Sequence, residues 1–165
     1  MAGAAAAADA PLRVVDAIDL DRYAGKWHEI ARYPNRFERM CTNQVTASYA
    51  RNADGTIAVV SECRKADGTR ERAEGLARVV VPAKLEVRFA PAWLSWVPLV
   101  WGDYWVLELD TDYRTMIVGE PSREYLWILA REPTMDDATW QRLISSLPQL
   151  GYNADQLVRN PGTTR

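Results

Sequence analysis

The feature that most constrains the fold of this chain is a long series of short, patterned segments between Trp27 and Arg131. Apolar and charged residues alternate strictly in residues 85–89, so one face of that segment is buried and the other meets water. The turns at 52–55 and 66–68 offer an Asx geometry followed by a glycine. Short strands and turns at this spacing are typical of an all-β barrel or sandwich.

The pattern predicts eight strands and one helix. Small residues at Ala73, Gly75 and Ala77 share the inward side of one strand, whereas a sandwich needs bulk at such positions. We therefore predict an eight-stranded up-and-down antiparallel barrel with a C-terminal α-helix packed outside. Thr134 is the predicted cap of that helix. The predicted ranges are 26–33, 45–51, 56–64, 71–81, 85–90, 103–110, 115–120 and 124–131 for the strands, 135–147 for the helix and 155–159 for a last short strand.

The chain is predicted to form one domain over residues 12–160. Residues 1–11 are predicted to be a flexible Ala-rich leader, with a short helix as the alternative, and residues 161–165 a flexible tail. The leader lacks the basic start and Leu-rich stretch of a secretory signal, which leaves the location of the protein open. No run approaches the ~20 apolar residues of a membrane span.

Charge and composition exclude several classes of function. The formal net charge is -2 with both signs interspersed, which argues against nucleic acid as a partner. The sequence shows no metal cluster, no Gly-rich phosphate loop and no Ser/His/Asp arrangement, and its one histidine, His28, is predicted to point away from the barrel interior. Seven Trp and seven Tyr against two Phe suit a lined cavity. We therefore expect a binding protein without a cofactor rather than an enzyme.

Three motifs follow one another in the order and at the spacing of a known family. They are Gly25-Lys26-Trp27, which opens the first strand, Arg131 at the end of the eighth, and between them Thr111, Asp112, Tyr113 and Arg114. With these motifs the chain resembles the lipocalins of the bacterial and apolipoprotein D-like group. The resemblance implies a structural role for the three motifs, with the Arg131 side chain lying over the Trp27 ring at the closed end of the barrel.

The face of Leu85, Val87 and Phe89, taken as inward, and the orientation that the resemblance implies for Trp27 and Arg131 together give an expected cavity lining. It is mostly apolar with a few hydroxyl groups, and it comprises Ala31, Ala47, Tyr49, Val59, Ala73, Gly75, Ala77, Leu85, Val87, Phe89, Tyr104, Val106, Tyr125 and Trp127. The same parity places Glu29 and Glu108 inside the lower barrel, where two carboxylates need partners or protons. Such a floor is expected to repel a fatty-acid carboxylate. The alternative is that Glu108 faces solvent.

Cys41 and Cys63 are the only cysteines of the chain. The turn at 52–55 folds the second strand back on the third and brings them close together, so we expect a disulfide and an oxidising compartment. Two free thiols and a catalytic thiol are the alternatives, the latter disfavoured because no histidine accompanies Cys41.

The expected function is storage or transport of a small hydrophobic ligand. The resemblance implies a fatty acid or lysophospholipid, and the periplasm or outer membrane of a bacterium as the location. A pigment, tetrapyrrole or other ring compound is the alternative ligand, and an enzyme or a purely structural partner is the remaining class. The apolar loop 91–101 at the predicted mouth is expected to dock on a membrane, to form a lid, or to make a homodimer contact through Trp93, Trp96 and Trp101.

Overall fold

A computed structural model describes residues 10–35, 38–89 and 101–165. A short helix, α1, is capped by Asp19 and precedes the first strand. The elements are α1 (Leu20–Tyr23), β1 (Gly25–Arg32), β2 (Cys41–Arg51), β3 (Ile57–Lys65), β4 (Arg70–Val81), β5 (Lys84–Arg88), β6 (Gly102–Leu109), β7 (Thr115–Gly119), β8 (Leu126–Ala130), α2 (Asp137–Ser146), two 3-10 turns (Pro148–Leu150 and Ala154–Gln156) and β9 (Val158–Arg159).

The strands close into the predicted barrel. Neighbouring strands pair antiparallel in the order β2 to β8, β8 pairs with β1, and β1 returns to β2, with Trp27 opposite Ala47. The short β9 extends the sheet beside the upper part of β1. Closure leaves the eight barrel strands without an unpaired edge.

The apolar residues form two separate cores. One fills the barrel around Trp27, Val106 and Met116, and the other joins the outer face of the barrel to α2, as in the contact of Leu143 with Ile128. The helix therefore packs outside, as predicted. Its cap is Asp136, whose side chain accepts the Thr139 amide at 2.8 Å, and not Thr134.

Two β-bulges overturn two of the inward predictions. The register slips between Glu29 and Ala31 in β1, and again between Val106 and Glu108 in β6. A bulge adds one residue to a strand, so the parity of every later position reverses. Ala31 consequently packs in the outer core, and Glu108 lies outside the barrel 3.6 Å from Arg142 of α2.

The C-terminal residues 161–165, the predicted flexible tail, make contacts with the rest of the chain, although four of the five are exposed. Thr163 is buried, and Thr164 pairs with Met135. Arg165 forms ion pairs with Glu132 and Asp136 at 2.7 and 3.4 Å. Most of the predicted leader, residues 1–9, lies outside the described residues.

Cys41 and Cys63 form a disulfide, as predicted. The bond joins β2 to β3 between two cysteines that are 22 positions apart in the sequence. By the chain-entropy model a loop of this length contributes about 3 kcal/mol to stability. Replacing both cysteines by serine is therefore expected to lower the free energy of unfolding in urea by about that amount. A loss below about 1 kcal/mol would show that the pairing contributes little.

Candidate ligand-binding cavity

The motifs shared with the lipocalins close the lower end of the barrel. The guanidinium of Arg131 lies 3.9 Å from the centre of the Trp27 ring. It donates hydrogen bonds to the carbonyl oxygens of Arg22 (2.6 Å), Lys26 (3.0 Å) and Tyr113 (3.2 Å). These bonds tie together α1, β1, β8 and the turn between β6 and β7.

The remaining motif residues occupy that turn and its edges. The Thr111 carbonyl oxygen accepts a hydrogen bond from Arg22 at 3.0 Å, and Asp112 is in the turn itself. Arg114 pairs with Glu132 at 2.6 Å. Gly25 has a φ of 100°, and a Cβ there would lie 3.3 Å from Arg131.

Inward-facing side chains differ in exposure between the two halves of the barrel. Those of the lower half are almost fully buried: Ile57, Val59, Ala77, Leu85, Val106, Met116, Val118 and Leu129. Several inward positions of the upper half remain partly or largely accessible: Ala47, Ala73, Gly75, Val87, Phe89, Tyr104, Tyr125 and Trp127. An accessible inward side chain has space beside it, so the upper half of the barrel is the candidate ligand-binding cavity.

The cavity has one aromatic wall and one wall of small residues. Ring centroids lie 6.3 Å apart for Tyr49 and Tyr104, 5.9 Å for Tyr104 and Trp127, and 5.8 Å for Trp127 and Tyr125. The small residues of β4 lie across the barrel from β8, because three strands separate β4 from β8 on either side in the closed order. At Gly75 a Cβ would lie 2.8 Å from the Phe89 ring, so glycine allows that ring to pack over the strand.

A polar cluster borders this cavity beside β1. Glu29 accepts hydrogen bonds from Arg32 at 2.9 Å and from Asn160 at 3.1 Å. Glu38, which sequence reasoning missed, accepts the indole N–H of Trp127 at 3.1 Å. The cluster therefore links the loop after β1 to the aromatic wall.

The pKa values of the two carboxyl groups of the cluster shift in opposite directions. Burial, together with the hydrogen bond and charge of Glu38, raises the pKa of Glu29 well above its usual range, although Arg32 opposes the shift. Burial acts against ionisation of Glu38 too, but the neighbouring side chains of Glu29, Asn35 and Trp127 lower its pKa. The neutral form is therefore favoured more at Glu29 than at Glu38, and Arg32 lies 2.9 Å from Glu29 and 3.8 Å from Glu38.

Replacing Glu29 by Gln is expected to change the pH dependence of stability. A carboxyl group whose pKa is raised by folding contributes to the stability of the protein at low pH. The protein loses that contribution as the pH rises from the unfolded to the folded pKa of the group. Glutamine keeps a donor for Glu38 and does not ionise. The difference in melting temperature between Glu29→Gln and the wild type should therefore grow in favour of the variant from about pH 4.3 upward. A difference in melting temperature that is constant with pH would contradict a raised pKa of Glu29.

Eight of the fourteen residues of the predicted lining belong to the accessible set of the upper half. Five others face inward but are buried in the inner core, namely Tyr49, Val59, Ala77, Leu85 and Val106, and Ala31 lies in the outer core. Trp93 and Trp96 of the mouth loop lie outside the described residues. Trp101 lies on the outer face, with the guanidinium groups of Arg78 and Arg88 at 3.8 and 5.3 Å from its ring. The side chain of Trp101 therefore does not cover the cavity.

Several inward residues escaped sequence analysis. All five residues of β7 are buried, so Met116 and Val118 show no alternation with exposed neighbours. Ile57 and Leu129 have the parity of predicted lining residues, and strict use of that parity finds them. For Glu38 the sequence carries no signal, since it lies in a loop.

The described parts of the chain offer few other features of functional sites. They contain no group of three or more His, Cys, Asp or Glu residues arranged to hold a metal ion. None of their helices is long and apolar enough to cross a membrane. Two grooves lie outside the barrel: one of about 460 Å³ beside Arg123, and one of about 420 Å³ beside His28, whose pKa is lowered by burial and by Lys26.

Comparisons with known proteins agree with this architecture. Residues 18–162 match the model of the lipocalin-like domain. The chain is 40% identical to temperature-induced lipocalin-1 of Arabidopsis thaliana, over 91% of this chain and 82% of that protein. It is 34% identical to outer membrane lipoprotein Blc of Escherichia coli K12, over 91% and 84% of the two chains.

More distant relatives extend the comparison. Mouse apolipoprotein D is 28% identical over 88% of this chain and 77% of its own length. Among solved structures, insecticyanin from the tobacco hornworm Manduca sexta superposes with a TM-score of 0.71 at 21% identity, covering 94% of this chain and 91% of its own. At 21% identity, this similarity shows a shared fold and no more. The chain belongs to the lipocalin family, in the group that includes Blc and apolipoprotein D.

Proposed function

We propose that the protein binds and carries a single-chain lipid, a fatty acid or a lysophospholipid, in the upper half of the barrel and performs no chemistry on it. The observation that carries the proposal is the set of accessible, inward-facing apolar and aromatic side chains above a fully packed lower half. Each methylene group that leaves water for such a cavity gains about 0.8 kcal/mol. A long acyl chain therefore has ample gross affinity before the costs of ordering.

The charges around the cavity support both kinds of lipid. An inward Glu108 would have repelled a fatty-acid carboxylate, but this residue lies outside the barrel beside Arg142. The raised pKa of Glu29 favours its neutral form, and Arg32 lies beside both Glu29 and Glu38. The cavity therefore has no uncompensated negative charge from these groups.

A ring compound is the second candidate ligand. The specific observation in its favour is the aromatic wall of Tyr104, Trp127 and Tyr125 opposite small residues, since flat molecules stack on such a wall. A bound pigment would give the purified protein an absorption band at longer wavelength than its own tryptophans. Extraction of a colourless acyl lipid favours the first candidate.

The relatives bear on location. Blc is named as an outer membrane lipoprotein in Escherichia coli and in Vibrio cholerae, and the disulfide suits an oxidising compartment. We therefore propose the bacterial envelope as the site of action, with lipid exchange at the membrane surface. Docking through the loop at 91–101 and homodimer formation remain predictions.

Native mass spectrometry tests the proposed function. The purified protein is delipidated and then mixed with palmitate or with 1-palmitoyl lysophosphatidylcholine, and the complexes are counted. We expect one lipid per chain at micromolar concentration. Absence of a one-to-one complex with either lipid would overturn the proposal, as would retention of a ring compound that neither lipid displaces.

A further inference from the structure

Three tyrosines from three different elements meet below the open cavity. Tyr23 comes from α1, Tyr49 from β2 and Tyr104 from β6. The hydroxyl oxygens of Tyr49 and Tyr104 are 2.6 Å apart, and the rings of Tyr23 and Tyr49 have centroids 4.8 Å apart. Tyr104 is partly accessible, whereas Tyr49 and Tyr23 are buried. The cluster therefore lies at the boundary between the cavity and the packed lower half.

The hydrogen bonds of this cluster leave donors unused. A phenol can donate one hydrogen bond, and two phenols that bond to each other use only one of their two protons. The hydroxyl of Tyr23 is fully buried and has no hydrogen-bond partner among the described residues. Buried donors without an acceptor are rare, because leaving water without a replacement partner costs free energy.

The three hydroxyl groups remain donors at neutral pH. Burial raises the pKa of Tyr23 and Tyr104 well above the usual range. Electrostatic interaction with the other phenols of the cluster raises both pKa values further. Burial also raises the pKa of Tyr49. An acceptor oxygen from a ligand would therefore meet protonated phenols.

We propose that Tyr23, Tyr49 and Tyr104 form a specificity subsite that accepts an oxygen atom at the inner end of the ligand. The inference rests on the proposed function and narrows it. The preferred ligand is a single-chain lipid whose leading end carries a hydroxyl or keto oxygen, rather than a plain hydrocarbon tail. Tyr104 is the member that the ligand reaches first, because it is accessible from the cavity.

Calorimetric titration with matched lipids tests this subsite. Lysophosphatidylcholines with plain acyl chains of 10 to 16 carbons are compared with lysophosphatidylcholines of the same lengths that carry a hydroxyl group at the chain end. Varying the length allows one of them to place the hydroxyl oxygen at the tyrosines. The zwitterionic head group stays at the mouth, so the chain end enters the barrel first. The measured quantity is the ratio of the two dissociation constants in the wild type, in Tyr104→Phe and in Tyr49→Phe.

At one chain length or more, the hydroxylated lipid should bind the wild type at least as tightly as the plain lipid. In Tyr104→Phe that ratio should shift against the hydroxylated lipid by about three- to tenfold, as expected for one hydrogen bond. Tyr125→Phe, the same change at the mouth of the cavity, should leave the ratio unaltered. Melting temperatures of the variants check that they are folded.

The possible failures are distinguishable. If plain and hydroxylated lipids bind but their ratio is the same in the wild type and both floor variants at every length, the subsite is wrong and the proposed function stands. If neither lipid of any length binds the wild type, the proposed function itself is wrong and the subsite with it.

Discussion

Replacing Trp27 by alanine is expected to destabilise the protein by about 3–5 kcal/mol, the range for removing a large aromatic side chain from a core. The Trp27 side chain is fully buried, and its indole N–H donates to the Tyr23 carbonyl oxygen at 2.9 Å. Loss of the Trp27 indole leaves an empty space inside the closed end of the barrel and removes the surface on which Arg131 lies. The free energy of unfolding in urea measures the effect.

Trp140 provides a matched control on the outer surface. It belongs to α2 and also lies under a guanidinium, that of Arg159 at 4.4 Å, but it is only partly buried against the outer core. Trp140→Ala should therefore cost clearly less than Trp27→Ala. Equal losses for the two variants would mean that the closed end of the barrel has no special role in stability.

Filling the cavity from β4 is expected to abolish most lipid binding without unfolding the protein. Ala73 faces inward in the upper barrel and is accessible, so Ala73→Trp can place an indole in space that the ligand needs. Excluding only two methylene groups costs about 1.6 kcal/mol, which weakens binding by more than about tenfold. Titration with palmitate measures the loss, and the melting temperature shows that the fold is retained.

The neighbouring position supplies the control for this experiment. Glu74 points to the opposite face of the same strand and is exposed, so Glu74→Trp adds the same side chain outside the barrel. Its affinity for palmitate should stay within about twofold of the wild type. If Ala73→Trp binds palmitate as tightly as Glu74→Trp does, the ligand does not occupy the upper barrel.

Alternation predicted the inward face well where one face of a strand meets water. In β5, Leu85 is buried and Glu86 partly exposed, as the pattern indicates, but Arg88 is buried on the face that was expected to meet water. Parity failed beyond the bulges that precede Ala31 and Glu108, because an extra residue in a strand leaves no mark in the pattern of hydrophobic residues. In β7, alternation was absent because the barrel interior covers one face and the outer core the other.

Contacts between distant parts of the chain set the other limits. The pairing of Met135 with Thr164 holds the chain extended after Thr134, so the helix begins two residues later than predicted, at the cap of Asp136. That pairing also orders the C-terminal residues. The cluster of Glu29, Glu38 and Asn160 joins three segments that no local pattern relates. By contrast, the closed end of the barrel was predictable, since its motifs are contiguous and specific.

The central claim is that lipid occupies the upper interior of the barrel, and paramagnetic broadening of amide NMR signals tests it most directly. With a stearic acid that carries a nitroxide spin label on its chain, we expect the strongest broadening at Ala73, Gly75, Val87 and Tyr104. The amides that border the outer grooves, beside Arg123 and His28, should keep most of their intensity. Broadening concentrated at either outer groove, with the interior amides unaffected, would contradict the account.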